Sequence, residues 1–139
     1  MAKELATDPT IGVWKLDVDK SNFTLGPAPM GSVMKVEAWE DGLKMSADTI
    51  AAGGERIHPE IAYRFDGNDY SLTGSPVADS VSTRRINERK SESAFKKDGK
   101  ITIRAKTFIS SDGKTLTVMR RGRDAQGYMV DEVMVYERQ

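Results

Sequence analysis

Cysteine is absent from this sequence, and histidine occurs only once. Without cysteine the chain has no disulfides, no thiol nucleophile and no Cys-ligated zinc. A single histidine, His58, excludes multi-histidine metal sites, and no apolar run approaches the roughly 18 residues of a membrane span. A Walker loop, a Gly-x-Gly-x-x-Gly motif and a nucleophile elbow are also missing. We therefore expect no metal and no cofactor, and a binding protein rather than an enzyme.

The chain has 139 residues, of which 38% are hydrophobic and 30% charged, as in one globular domain. We expect a single domain over 1–139, in which residues 1–10 form a flexible, polar N-terminal segment. This segment has no apolar stretch of the signal-peptide type, so the chain as written is expected in the cytoplasm. Removal of a signal peptide would place it in the periplasm or outside the cell, and a cysteine-free chain suits either location.

The net charge is zero, but the charges are unevenly distributed along the chain. Residues 1–83 carry a net charge of −6, residues 84–123 carry +9, and residues 124–139 carry −3. The basic segment either forms a surface for an anionic partner or is offset by acidic neighbours in a folded sheet. We favour the second interpretation. Nucleic-acid binding is not expected, because Phe95 and Phe108 are the only aromatic residues in this segment.

Short alternating segments separated by turn signals dominate the sequence. In the first, Trp14, Leu16 and Val18 share one face, which is the pattern of a strand with one buried side. The same alternation recurs in 33–39, 43–49, 100–109, 114–121 and 128–137, and less regular strands are expected at 56–65, 69–73, 80–87 and 89–97. Asp-Gly pairs, which suit the positive φ angles of hairpin turns, occur at 41–42, 66–67, 98–99 and 112–113.

This succession of hairpins predicts an all-β fold. An antiparallel up-and-down β-barrel of about eight to ten strands is favoured, because closure removes exposed strand edges. A β-sandwich is the alternative. The polar stretch 84–97 could be strand or helix, since it has no apolar stripe of either period.

Both ends of the chain resemble one family. Gly12-Val13-Trp14-Lys15-Leu16, followed by Ser21-Asn22-Phe23, resembles the opening of the calycin superfamily, which includes lipocalins and fatty-acid-binding proteins. The ending Val135-Tyr136-Glu137-Arg138 resembles the closing strand of the fatty-acid-binding branch. The chain is also similar to short lipocalin-like domains of bacteria. The resemblance implies a barrel around an interior cavity.

It further implies that Trp14 packs near the closed end against a basic side chain of a late strand. Arg120 and Arg121 are the candidates, and because they alternate, only one can point inward. Two features depart from the fatty-acid-binding branch. The connection 19–31 contains two prolines and two glycines and cannot form a helix–turn–helix lid. Met134 stands where that branch has the arginine of its Arg-x-Tyr carboxylate clamp, so Tyr136 lacks a charged partner.

Candidate ligand-binding residues combine adaptable apolar side chains with groups that fix a polar end. Methionine suits irregular cavities, and arginine binds anionic head groups bidentately. The candidates are Trp14, Met34, Met45, Arg104, Phe108, Met119, Arg121, Met134 and Tyr136.

The preferred hypothesis is non-catalytic binding or transport of a small apolar or amphipathic ligand, including lipids, inside the barrel. The first alternative is a solid-core structural or interaction domain, which could form a homodimer through a strand edge or through Trp39. Trp39 falls on the polar register of its strand, as a rim or interface residue does. The second alternative is a small enzyme on the same barrel that uses His58 or a carboxylate.

Overall fold

The computed structural model describes residues 8–24, 26–124 and 126–139. Over these ranges the chain is all-β, without helices. The strands are β1 (Gly12–Asn22), β2 (Gly31–Trp39), β3 (Gly42–Ile50), β4 (Arg56–Ile57), β5 (Glu60–Tyr63), β6 (Asp66–Ser71), β7 (Ser80–Asn87), β8 (Lys90–Lys97), β9 (Lys100–Ile109), β10 (Thr115–Arg123) and β11 (Met129–Arg138).

One antiparallel sheet contains all these strands, in the order β4-β3-β2-β1-β11-β10-β9-β8-β7-β6, with β5 also paired to β3. Neighbours in space are neighbours in sequence, except that β5 pairs with β3 and that β1 pairs with β11, which joins the two ends of the chain. This confirms the predicted up-and-down barrel topology and excludes the sandwich. There are eleven strands rather than eight to ten, partly because 56–65, predicted as one strand, is interrupted at His58-Pro59. Proline cannot donate to a strand ladder.

The stretch 84–97 is strand, divided between β7 and β8. Its lack of an apolar stripe has a structural cause. The inward positions of these strands include Thr83, Ser91 and Ser93, and a hydrogen bond of 2.9 Å joins the hydroxyls of Thr83 and Ser93. Hydroxyl side chains therefore occupy positions where a strand pattern normally shows valine or isoleucine.

A single bridge joins the two ends of the curled sheet. Glu60 of β5 and Thr73, just beyond β6, exchange two backbone hydrogen bonds of 2.9 and 3.1 Å. Gly74 follows with φ +74°, and a Cβ there would overlap the carbonyl of His58. Only glycine accommodates both the left-handed backbone and this close approach.

Two clusters of buried side chains form the core. The larger cluster contains Trp14, Leu16, Val36, Leu43, Ile109, Leu116 and Tyr136. The smaller one contains Ile61, Leu72, Ala78 and Val81. Met45 and Tyr63 pack against both clusters and therefore link the two halves of the barrel.

Trp14 is fully buried, and its indole Nε1 donates a 2.9 Å hydrogen bond to the carbonyl of Thr10. The cation over its ring is Arg138, whose guanidinium carbon lies 4.2 Å from the ring centroid. The expectation of a basic side chain from a late strand is confirmed, but the residue is neither Arg120 nor Arg121. The last strand, β11, ends beside β1 and brings Arg138 opposite Trp14 in the register.

Arg138 also donates hydrogen bonds to backbone carbonyls from separate parts of the chain. Its guanidinium donates to Gly113 at 2.7 Å, to Ile11 at 2.7 Å and to Pro9 at 2.6 Å. A side chain on Gly12 would overlap the Arg138 guanidinium. The Gly-x-Trp element thus has a physical reason: glycine leaves room for the arginine that covers the tryptophan.

The N-terminal segment is held in place over its described part. The carboxylate of Asp8 is buried and lies 2.5 Å from Arg85, whose guanidinium stacks on the Phe65 ring at 4.0 Å. Residues 8–10 therefore close one end of the barrel, although the sequence places them in a flexible segment. Residues 1–7 of that segment lie outside the described residues.

Replacing the buried tryptophan tests this core. Trp14→Ala is expected to lower the free energy of unfolding by about 3–5 kcal/mol, because it removes a fully buried ring and its hydrogen bond. Trp39→Ala is the matched control, since Trp39 is 44% exposed at the end of β2. Denaturant unfolding of both variants measures the difference, and equal losses would contradict the core assignment.

Arg138→Lys tests the carbonyl cluster. Lysine keeps the charge but lacks the planar fork that reaches three carbonyls, so we expect a loss of about 2–4 kcal/mol in unfolding free energy. Arg123→Lys serves as the control, because Arg123 is exposed and donates to one carbonyl, that of Gly127. A loss for Arg138→Lys no larger than for the control would show that the fork is dispensable.

Candidate functional site

An interior cavity of about 190 Å³ lies between the two core clusters. Residues of both clusters form its wall. The lining residues are Thr10, Met34, Val36, Met45, Ile61, Tyr63, Phe65, Leu72, Val81, Thr83, Ser91, Ser93, Phe95, Ala105, Thr107, Leu116, Val118, Met134 and Tyr136.

The cavity has two chemically different walls. Met34, Met45 and Met134 contribute flexible thioethers from β2, β3 and β11. The other wall is polar: the neighbouring strands β7, β8 and β9 contribute the hydroxyls of Thr83, Ser91, Ser93 and Thr107. A cavity of this composition can contact an apolar surface on one side and hydrogen-bond a polar group on the other.

Two tyrosines of the lining stay protonated. Burial raises the pKa of Tyr63, and the negative charge of Asp8 raises it further. Burial likewise raises the pKa of Tyr136, although the positive charge of Arg120 opposes this shift. Both phenols therefore remain neutral near pH 7. The Tyr136 hydroxyl lies 3.9 Å from the Met134 sulfur, a weak acceptor that leaves it available to a better one.

Of the nine candidate residues, the structure brings Met34, Met45, Met134 and Tyr136 together in the cavity wall. Trp14 is core rather than lining. The other four candidates lie on the outer face: Phe108 beneath the Lys90 ammonium, and Arg104, Met119 and Arg121 in an external groove. They do not line the interior, where the prediction placed them. Strand alternation is the reason, since Ala105, Thr107 and Val118 occupy the inward positions between them.

Arg120, not Arg121, is the inward arginine of β10. The Arg120 side chain is 17% exposed and pairs with the carboxylate of Glu132, whereas the Arg121 side chain is 78% exposed. Glu132 also accepts the backbone N–H of Thr24 at 3.1 Å. The Nε of Arg120 is buried and has no hydrogen-bond partner within the described part of the chain. Arg120 is directly opposite Ala105, which lines the cavity, but Arg120 itself is not one of the lining residues.

The four hydroxyl residues of this wall were not among the predicted site residues. A usable signal exists, because Val81, Thr83 and Arg85 alternate on one strand and Ser91, Ser93 and Phe95 on the next. Apolar residues at the ends of these series mark the inward face. Thr83 alternates in phase with Val81, and Ser91 and Ser93 alternate in phase with Phe95. These hydroxyl residues therefore share the inward face and line the interior.

His58 stands between two carboxylates on the surface. Its Nδ1 lies 2.8 Å from Asp48 and its Nε2 lies 3.5 Å from Glu60. The hydrogen bond to Asp48 raises the pKa of His58, and the charge of Glu60 adds to the shift. The imidazole joins β3 to β5 as an ion-pair partner. Trp39, the other singled-out surface residue, is exposed at the rim of β2.

No family model and no curated protein matches this chain. Within the described ranges, no helix is long and apolar enough to cross a membrane. The same residues contain no cluster of histidine and acidic side chains arranged to hold a metal ion. The functional argument therefore depends on the cavity and on the surface around it.

Titration of the single histidine tests the ion-pair assignment. The pKa of His58 is expected above its ordinary 6.5, and Asp48→Asn should lower it. Because the pKa is raised in the folded state, the pair stabilises the protein below about pH 6.5 and loses its effect as the pH rises through the folded pKa. NMR of the imidazole protons measures both values without interference from another histidine. An unchanged pKa in Asp48→Asn would refute the assignment.

Proposed function

We propose that this protein binds a small amphipathic molecule in the barrel cavity and performs no chemistry on it. The observation that carries the proposal is the pairing of a methionine wall with a hydroxyl wall around a cavity of about 190 Å³. The packing of a solid structural core does not require four hydroxyl side chains on three neighbouring strands. The same arrangement is what a ligand with one apolar and one polar side requires.

The volume sets the size of the ligand. A dry apolar cavity of about 150 Å³ can hold benzene. The observed cavity thus suits a single substituted ring or a short aliphatic chain, and is too small for a long-chain fatty acid. This refines the expectation drawn from the calycin resemblance. We retain a barrel-interior ligand as part of the proposal and replace a long-chain lipid by a smaller molecule.

Binding would be driven by release of water. Empty of ligand, the cavity has room for about six water molecules at their liquid volume. On the methionine side these waters have poor hydrogen-bond partners, so their replacement by an apolar group is favourable. A polar substituent on the ligand would keep the hydrogen bonds that water makes to Ser91 and Thr107. The Tyr136 hydroxyl is a further donor for an anionic or carbonyl end.

Methionine methyl groups offer a direct test. With ¹³C-methyl-labelled methionine, titration with phenol, indole and hexanoic acid is followed by NMR. The methyls of Met34, Met45 and Met134 should shift, because they line the cavity. Met30 and Met129 are internal controls, being 69% and 62% exposed. Equal shifts at exposed and buried methyls, or no shift with any probe, would refute the proposal.

A cavity-filling variant sharpens the test. Ala105→Leu extends a side chain into the cavity and should weaken binding of the responding probe by about tenfold or more, while costing about 1–3 kcal/mol in stability at most. Ala62→Leu is the matched control, because Ala62 alternates with the inward Ile61 and Tyr63 on β5 and faces outward. Loss of binding in both variants would point to general destabilisation instead.

A further inference from the structure

The outer face of β7–β10 carries a groove of about 630 Å³, on the opposite side of the same strands that form the hydroxyl wall. Four cationic side chains and one anionic side chain line it, together with the small floor residues Ser82 and Ala94, and Thr83, Ser93 and Ala105 border both the groove and the cavity. Ala94 faces outward but is only 8% exposed, because the long side chains around it screen it from solvent.

The register aligns the groove residues in two rows across the strands. One row contains Arg84, Glu92, Lys106 and Met119, and the other contains Ser82, Ala94, Arg104, Arg121 and Asp131. In the first row positive and negative charges alternate. In the second, Arg104 and Arg121 are directly opposite each other on β9 and β10. Like charges in this position destabilise a sheet.

Acidic neighbours offset little of this charge. Arg121 has Asp131 at 3.4 Å, but Arg104 is flanked by Ala94 and Arg121. Asp66, opposite Arg84, instead accepts the hydroxyl of Tyr70 at 2.6 Å. Among the described residues, neither Arg84 nor Arg104 nor Lys106 has an ion-pair partner. Elsewhere in the basic segment 84–123 acidic partners offset the charge as expected, for example Asp69 at Lys96 and Glu132 at Arg120, whereas these three cations of the groove have no such pair among the described residues.

We propose that this groove binds a small hydroxylated phosphate monoester. The phosphate would lie between the Arg104 and Arg121 guanidiniums, whose planar forks match its oxygens. Lys106 and Arg84 would supply further positive charge at the edges of the groove. Glu92 and Ser82 would hydrogen-bond hydroxyl groups of the ligand. This role accounts for the presence of one acidic residue among the groove's cations.

The composition of the groove favours a small molecule over a nucleic acid. Single-stranded nucleic acids are held by aromatic side chains on which bases stack, and no aromatic residue lines this groove. A volume of about 630 Å³ falls within the range of small-molecule pockets, roughly 300–1,000 Å³. Glu92 in the middle of the cationic row would also repel a continuous phosphate backbone.

Glucose 6-phosphate, inorganic phosphate and glucose serve as probes, with binding followed by calorimetry and by NMR of the Met119 methyl. We expect saturable binding of glucose 6-phosphate, weaker binding of phosphate, and none of glucose. The methyls of Met34, Met45 and Met134 should not respond. This separates the groove from the interior cavity, so that failure at one site leaves the other untouched. Absence of saturable binding of either anion up to about 10 mM would overturn the proposal.

Arg104→Gln should weaken binding of glucose 6-phosphate by about tenfold or more, because it removes a charged hydrogen-bond partner. Lys100→Gln is the matched control, since it changes the charge equally on the same strand outside the groove. Arg104→Gln should also unfold no more readily than the wild type, because it relieves the like-charge pair. Equal loss of binding in the two variants would reduce the effect to diffuse electrostatics and overturn the proposal.

Two further variants and one competitor complete the test. Glu92→Gln should strengthen binding of inorganic phosphate yet reduce the preference for glucose 6-phosphate. Arg121→Gln, at a side chain that is 78% exposed, should weaken binding of glucose 6-phosphate by about tenfold as well, which covers the case that Arg104→Gln misfolds. Tighter binding of a single-stranded oligonucleotide than of glucose 6-phosphate, with the same dependence on Arg104, would instead identify a nucleic-acid surface.

Discussion

The stack of Arg138 on Trp14 is the interaction on which the rest of the barrel depends. In an up-and-down sheet the first and last strands must meet, and no turn holds them together. Here the last strand delivers a guanidinium to the first strand's tryptophan, and the same group binds carbonyls before β1 and in the β9–β10 turn. One cation therefore fixes the N-terminal segment, the closing strand and a hairpin at one end of the barrel. Gly12 is the steric condition for this arrangement.

The strands β7–β10 carry polar side chains on both faces. Their inner face presents Thr83, Ser91, Ser93 and Thr107 to the cavity, and their outer face presents cations to the groove. The opposite half of the barrel contains most of the larger apolar cluster. Because hydroxyl-lined strands contribute less apolar burial, the opposite half of the barrel contributes more of the hydrophobic stabilisation.

Much of the fold could be predicted from alternation and turn chemistry alone. Alternation placed Met34, Met45, Met134 and Tyr136 on inward faces, and three Asp-Gly pairs (41–42, 98–99 and 112–113) marked hairpins, whereas Asp66-Gly67 lies within β6 and not in a turn. What failed depended on contacts between distant segments. Nothing local to Arg138 shows that it covers Trp14, and Arg104, Met119 and Arg121 share a groove only because β9 and β10 pair in a particular register. The choice of Arg120 as the inward arginine likewise follows from Glu132, which sequence reasoning did not connect to it.

The backbone bridge between Glu60 and Thr73 closes the barrel, and we call this junction the seam. Elsewhere neighbouring strands share ladders of several residue pairs, whereas here two backbone hydrogen bonds complete the circle. Local opening follows the path that breaks the fewest such bonds. Leu72 and Ile61 stand on either side of this seam, and both line the interior cavity. Within the described residues, the wall beside the cavity is therefore most weakly joined where β5 meets the end of β6, between Glu60 and Thr73.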